Sequence, residues 1–214
     1  MPVKDFGDAK QRLAGVLSPL EHRALFQAMV EDVLEVLASS DELVGILVVT
    51  GDSLARRLAE RYDARVLLEE KNAGHTAASS LGARTLGAEG ALGMLQVPGD
   101  IPLLNAEDIS ALLQIHGKAP AVTIAPSGDE RGSNGVACSP PDLLPLSFGD
   151  DSFLPHLACA RDLGVEPRIL KRPGFALDID TPDDLSKFVE KPSATRTYRY
   201  LQDSGIIQRL SAAQ

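Results

Sequence analysis

The chain has 214 residues, with 21 Lys plus Arg against 30 Asp plus Glu and a net charge of −9. That length fits one domain, and a hydrophobic content of 44 % excludes wholesale disorder and fibrous repeats. The acidic balance argues against a general nucleic-acid coat, since phosphate backbones are held by clustered positive charge, and no apolar run approaches the ~20 residues of a membrane-spanning helix.

Lys4 and Asp5 lead into a polar stretch with no signal-peptide pattern. Cys138 and Cys159 belong to no CxxC pair and read as buried thiols of a reducing compartment. A cytoplasmic location is therefore expected. The segment PVKDFGDAKQRL brings Lys4, Lys10 and Arg12 close together. Such a loop can grip a polyphosphate, whose several charges need more than one counter-charge. An ordinary basic terminus is the alternative, and the Walker pattern is absent.

Ser18-Pro19-Leu20-Glu21 is a capping box with Pro at the first helical position, and the apolar period runs on to about Ser40. Apolar runs then follow at residues 44–50, 65–69, 92–97, 121–125, 135–139 and 168–170. Several lack alternation, as strands buried on both faces do, which predicts a mostly parallel sheet with helices on each side. Asn105 with Asp108, and Thr181-Pro182 with Asp184, open further helices in the manner of Ser18. This alternation predicts a three-layer α/β/α fold.

Four further segments carry chemistry. Gly74-His75-Thr76-Ala77-Ala78 is rich in small residues, fit either for a flat base or for close helix packing. Asp100 ends the run LGMLQVPGD, at the edge where open α/β sheets bind ligands; it is either a cation ligand or a turn cap. Asp178 and Asp180 alternate along an extended stretch and so share a face, where two carboxylates repel unless a proton or cation separates them. Thr181 already fills the following helix cap, which leaves both Asp side chains for other duties. The Gly-bearing loops Arg131-Gly132-Ser133-Asn134 and Phe148-Gly149-Asp150-Asp151-Ser152 offer backbone N–H groups to an anion, or are plain turns. His22, His75, His116 and His156 share no ligand spacing, although His75 and His156 fall near these segments.

Seven segments appear in one order: PVKDFGDAKQRL, the capped helix after LSP, GHTAAS, VPGDIPLL, RGSNG, FGDDSF and ALDIDTPDDL. From about residue 2 to residue 189 the chain thereby resembles the 2-phospho-L-lactate guanylyltransferase family, CofC or FbiD, of deazaflavin coenzyme biosynthesis. The resemblance implies a Rossmann-like fold of the nucleoside-diphospho-sugar transferase type, with a mixed, mostly parallel sheet. Residues 1–190 would form the nucleotidyltransferase domain and residues 191–214 a tail, on which a homodimer could rest. An apolar strand is expected ahead of Pro2-Val3-Lys4, and this sequence does not contain it.

The same resemblance implies that GTP and a small phosphorylated three-carbon acid react with release of pyrophosphate. The acid would be 2-phospho-L-lactate or phosphoenolpyruvate, with 3-phospho-D-glycerate as the alternative. Lys4, Lys10 and Arg12 would contact the triphosphate, and Gly74, His75 and Thr76 the guanine. Asp100, Asp178 and Asp180 would bind Mg2+, Lys4, Lys10 and Asp100 acting in catalysis. Asn134, Gly149 and Ser152 would hold the acid. Thr76 stands where many members carry Asn. Rival readings are a nucleotidyltransferase using CTP and a nucleotide-binding protein without turnover. Neither a nucleic acid nor a membrane is expected as a partner.

Overall fold

The computed structural model describes residues 1–7, 11–69, 73–149 and 151–212. Helix α1 (Pro19–Ala38) begins where the capping box places it: Ser18 Oγ accepts the Glu21 N–H and Glu21 Oε2 accepts the Ser18 N–H at 2.8 Å. Its apolar stripe, with Leu25, Met29, Val33 and Leu37, is buried. Strand β1 (Leu47–Thr50), helix α2 (Ser53–Arg61) and strand β2 (Arg65–Leu68) form a parallel βαβ unit in the register Leu47↔Arg65. Residues 1–3 run alongside β1, with the Val3 N–H on Val49 O and the Val49 N–H on Met1 O, both 3.0 Å.

Helix α3 (His75–Ala88), strand β3 (Met94–Gln96) and helix α4 (Ala106–His116) lead into strands β4 (Ala121–Pro126) and β5 (Ser133–Ser139). Helix α5 (Phe153–Asp162), strand β6 (Arg168–Ile169) and helices α6 (Pro173–Ala176) and α7 (Pro182–Val189) follow. All six apolar runs contain strands. Four pair in the order β3-β5-β4-β6. β4 and β6 are parallel, but β5 is antiparallel to both β3 and β4. The parallel pairing read from the unbroken apolar runs fails there for a simple reason. Residues 127–132 are a turn, too short for the crossover that parallel neighbours need. The sheet is mixed.

Alternation along the strands builds the three layers. Val122, Ile124, Val136 and Cys138 face α3 and α5, with Phe153, Leu157 and Ala160. Ala125 and Ala137 face the other side, with Val33 and Leu37 of α1 and Ile109 and Leu112 of α4. His116 belongs to this core, its ring nitrogens 2.9 Å from Thr123 Oγ1 and 3.0 Å from Ser139 Oγ. The tail forms helices α8 (Arg196–Asp203) and α9 (Ile206–Ala212). α8 packs on α1: the N–H groups of Arg196 and Thr197 donate to Asp32 at 2.7 and 2.9 Å, and Thr197 Oγ1 at 2.6 Å. Among the described residues no helix is long and apolar enough to cross a membrane.

Candidate functional site

A cavity of about 1280 Å3 opens where β3 and β4 end and the antiparallel β5 begins. Its first wall is the N-terminal segment. The buried Phe6 gives its N–H to Asp52 Oδ2 at 3.1 Å, and Leu13 is also fully buried. These two apolar anchors lie beside Lys4 and Arg12, which line the cavity. Lys10 lies outside the described residues.

The floor is acidic. Asp100 follows β3 through Val97-Pro98-Gly99, and its carbonyl accepts the Ile179 N–H at 3.0 Å. Ile179 is fully buried. This one bond and this one anchor bring the segment after α6 against the end of β3, so Asp178 and Asp180, on either side of Ile179, line the cavity with Asp100. Asn134 Nδ2 donates to Asp178 Oδ1 at 3.0 Å and to Phe175 O at 2.8 Å. Burial pushes the Asp178 carboxyl above its ordinary range; the Asp100 charge and, more weakly, that of Asp180 add to this, and the Asn134 bond opposes it. Thr181 caps α7 in a box with Asp184, so the helix makes no demand on Asp178. Among the described residues no group of three or more His, Cys, Asp or Glu side chains is arranged to hold a metal ion by itself.

A further part of the lining is built from the start of α3 and the loop before α5. Gly74 precedes α3 at φ +92°, a backbone conformation that glycine adopts without strain. Thr76 Oγ1 accepts the Phe148 N–H at 2.9 Å and donates to Phe148 O at 3.2 Å. Its hydroxyl therefore clasps the two segments together. The Phe148 ring lies between His75, at 4.5 Å, and His156, at 5.1 Å. His75 Nε2 is 3.0 Å from Gln96 Nε2. Gly149 is open, with nothing near a Cβ built there.

Ser152 Oγ accepts the Ser133 N–H at 3.0 Å and makes no bond to cap α5. Beneath it, His156 Nε2 accepts the Ser147 N–H at 2.9 Å, which leaves the proton of the neutral ring on Nδ1, 3.0 Å from Ser133 Oγ. Burial lowers the His156 pKa to about 4. The β4–β5 turn is closed by Ser127, whose Oγ donates to Asp129 at 2.6 Å and accepts the Gly132 N–H at 2.8 Å. Arg131 forks onto Asp151 through Nε at 2.7 Å.

The structure thus gathers Lys4, Arg12, Gly74, His75, Thr76, Asp100, Asn134, Gly149, Ser152, Asp178 and Asp180 around one cavity. Asn134, Thr76 and Ser152 also hold the walls together. Lys187 of α7 and Asp129 line it too and were not foreseen. Lys187 is six residues past the Thr181 cap, on the helix that the Asp178–Asp180 stretch leads into, which was the available signal.

Comparison with known proteins decides the family. The profile described as "Guanylyl transferase CofC like" matches residues 1–213. The chain belongs to the CofC guanylyltransferase family. It is 40 % identical to a phosphoenolpyruvate guanylyltransferase of Conexibacter woesei, over 92 % of this chain and 88 % of that one. It is 33 % identical to a 3-phospho-D-glycerate guanylyltransferase of Colwellia psychrerythraea, over 86 % and 87 %. In fold it matches a solved structure from Desulfovibrio desulfuricans G20, with TM-score 0.79 and 19 % identity over 98 % of this chain and 95 % of that one. A synthetase for CMP:2-keto-3-deoxy-manno-octonic acid follows at TM-score 0.58 and 15 % identity, over 87 % and 94 %. As a nucleotidyltransferase of the CofC family, the chain lines this one cavity with two cations, three carboxylates and the two Gly-bearing loops.

Proposed function

We propose that the protein transfers the guanylyl group of GTP to the phosphate of phosphoenolpyruvate, in deazaflavin coenzyme biosynthesis. The observation that supports the reading is one cavity lined by Lys4 and Arg12, by Asp100, Asp178 and Asp180, and by the loops of Ser133 and Gly149. An oxygen of the acid's phosphate attacks the α-phosphorus of GTP. A P–O–P anhydride forms, the bond between the α-phosphorus and the bridging oxygen breaks, and pyrophosphate leaves with that oxygen. The attacking phosphate is already anionic at neutral pH, so positioning and charge neutralisation carry the rate.

Lys4 and Arg12 bind the triphosphate and offset charge growing on the leaving pyrophosphate. Backbone N–H groups of the two loops orient the acid. The floor fits Mg2+, which takes one or two carboxylates plus phosphate oxygens: the half-buried Asp178, close to the Asp100 and Asp180 charges, gains from a nearby cation. Bound there, Mg2+ would neutralise phosphate charge; Asp178, oriented by Asn134, and Asp100 would hold it. 3-Phospho-D-glycerate is the second reading, on the strength of the Colwellia relative's name.

Pyrophosphate release tests this, with GTP, Mg2+ and phosphoenolpyruvate, 2-phospho-L-lactate or 3-phospho-D-glycerate in separate reactions, and CTP and ATP as controls. Release with GTP and phosphoenolpyruvate is the expected result. Release with CTP alone, or with none of the acids, would overturn it.

A further inference from the structure

The two loops given to the acid bring backbone N–H groups but a single cation. Arg131 is the only Lys or Arg in residues 127–134 and 147–152, and it lines the cavity. Its backbone is held on both sides: the N–H donates to Asp129 Oδ1 at 3.1 Å, and the carbonyl accepts the Phe153 N–H at 2.8 Å. The guanidinium therefore starts from a fixed root, where the β4–β5 turn meets the first residue of α5. It already holds a carboxylate. Nε and Nη2 fork onto the two oxygens of Asp151 at 2.7 and 3.2 Å, and this pairing keeps the Asp151 carboxyl below its ordinary range.

The pair stands in water, however. Its side chains are 57 % and 72 % exposed, and Asp151 lies outside the lining of the cavity. An exposed ion pair contributes little, because solvent screens it and its side chains lose freedom. The same fork on a carboxylate inside the cavity, with less water around it, is stronger. The acid supplies such a group: phosphoenolpyruvate, 2-phospho-L-lactate and 3-phospho-D-glycerate all carry a carboxylate besides the phosphate. In the reading above, Lys4 and Arg12 serve the triphosphate and the floor serves Mg2+. Lys187, the remaining cation of the lining among the described residues, is 3.7 Å from Asp184 and offers a point charge, not a fork. We propose that Arg131 reads the carboxylate of the acid: it leaves Asp151 and forks onto the substrate, so that the site selects phosphorylated carboxylic acids over other small phosphate esters. Asp151 is then a competitor of the substrate. The inference rests on the acid-binding role proposed for the two loops. A merely structural ion pair suffers alike from loss of either partner, whereas a reader and its competitor respond with opposite sign.

Calorimetric binding titrations test it, with Mg2+ and α,β-methylene-GTP present so that no transfer occurs. Two probes are compared: phosphoenolpyruvate, and vinyl phosphate, the same ester without the carboxylate. The wild type is expected to bind phosphoenolpyruvate about tenfold more tightly or better. Arg131→Gln should weaken phosphoenolpyruvate by that factor and leave vinyl phosphate unchanged, which erases the preference. Arg131→Lys should restore part of it. Asp151→Asn should bind phosphoenolpyruvate at least as tightly as the wild type. Melting temperatures within about 2 °C of the wild type are expected throughout, since the pair is exposed. Equal losses in Arg131→Gln and Asp151→Asn, or a preference that survives Arg131→Gln, would overturn the proposal. So would a wild type that does not bind phosphoenolpyruvate. Pyrophosphate release by the same proteins separates the two readings. Release with a preference indifferent to Arg131 overturns this inference alone, and Arg131-dependent binding without release from GTP overturns the guanylyl reading alone.

Discussion

Asp178 carries opposing demands. Its carboxyl is held above the ordinary range by burial and by Asp100, so at neutral pH the folded protein keeps a charge that the unfolded chain holds more easily. Asp178→Asn removes that charge and can still accept the Asn134 bond. We expect a higher melting temperature together with loss of pyrophosphate release by 100-fold or more. Calorimetry and steady-state assays on one preparation check both. A variant that is destabilised, or that turns over normally, would remove Asp178 from the role given to it. His156 shows the reverse case. Its folded pKa of about 4 lies below the ordinary value of ~6.5, so the unfolded state binds the extra proton first. Its share of the stability is complete above pH ~6.5 and is lost as the pH falls toward 4, by about 3 kcal/mol. Urea titrations from pH 7 to pH 4.5 should show this slope, and His156→Phe should flatten it. The variant should also be less stable at pH 7, since the Ser147 N–H and Ser133 hydroxyl lose their partner.

At the scale of elements, Gly135 joins the sheet to the site. A Cβ there would stand 2.7 Å from the ring of Phe175, which is fully buried and whose carbonyl accepts from Asn134. Gly135→Ala therefore pushes α6, and with it the approach to Asp178. We expect a stability loss of about 1–3 kcal/mol and a fall in kcat larger than any change in KM for GTP, measured by denaturant titration and initial rates. Helix starts were the most legible elements, because Ser18, Asn105 and Thr181 each act within three residues of themselves. Strand direction was less so: an apolar run that is buried on both faces reads alike in either sense, and only the short 127–132 turn gives β5 away. Roles of hydroxyls were the hardest to read. Thr76 bonds Phe148 and Ser133 meets Ser152 across long stretches of chain, and no local pattern announces a partner that distant. The acidic floor, by contrast, was visible as two motifs. What joins them is a backbone bond from Ile179 to Asp100, which leaves no mark on side-chain type.

For the whole molecule, the tail is a wall of the core and its removal tests that. Leu201 and Ile206 are 0 % exposed, and each such side chain contributes ~1.5–3 kcal/mol when withdrawn from water. They cover the outward side of α1, whose inward side reaches the β-sheet. Net stability of a domain is ~5–15 kcal/mol, so deleting residues 192–214 forfeits a large fraction of it before the newly exposed α1 surface is counted. The expected outcome is loss of the cooperative thermal transition, or aggregation in size-exclusion chromatography. A smaller version keeps the protein folded: Thr197→Val preserves shape but removes the hydroxyl that donates to Asp32. Asp32 stays buried with one donor fewer, at a cost of about 1–3 kcal/mol, while no residue of α8 lines the candidate cavity, so kcat should be unchanged. If the deleted protein instead remains folded and active but changes its oligomeric state, the tail is an assembly arm, and its packing on α1 contributes little to the fold.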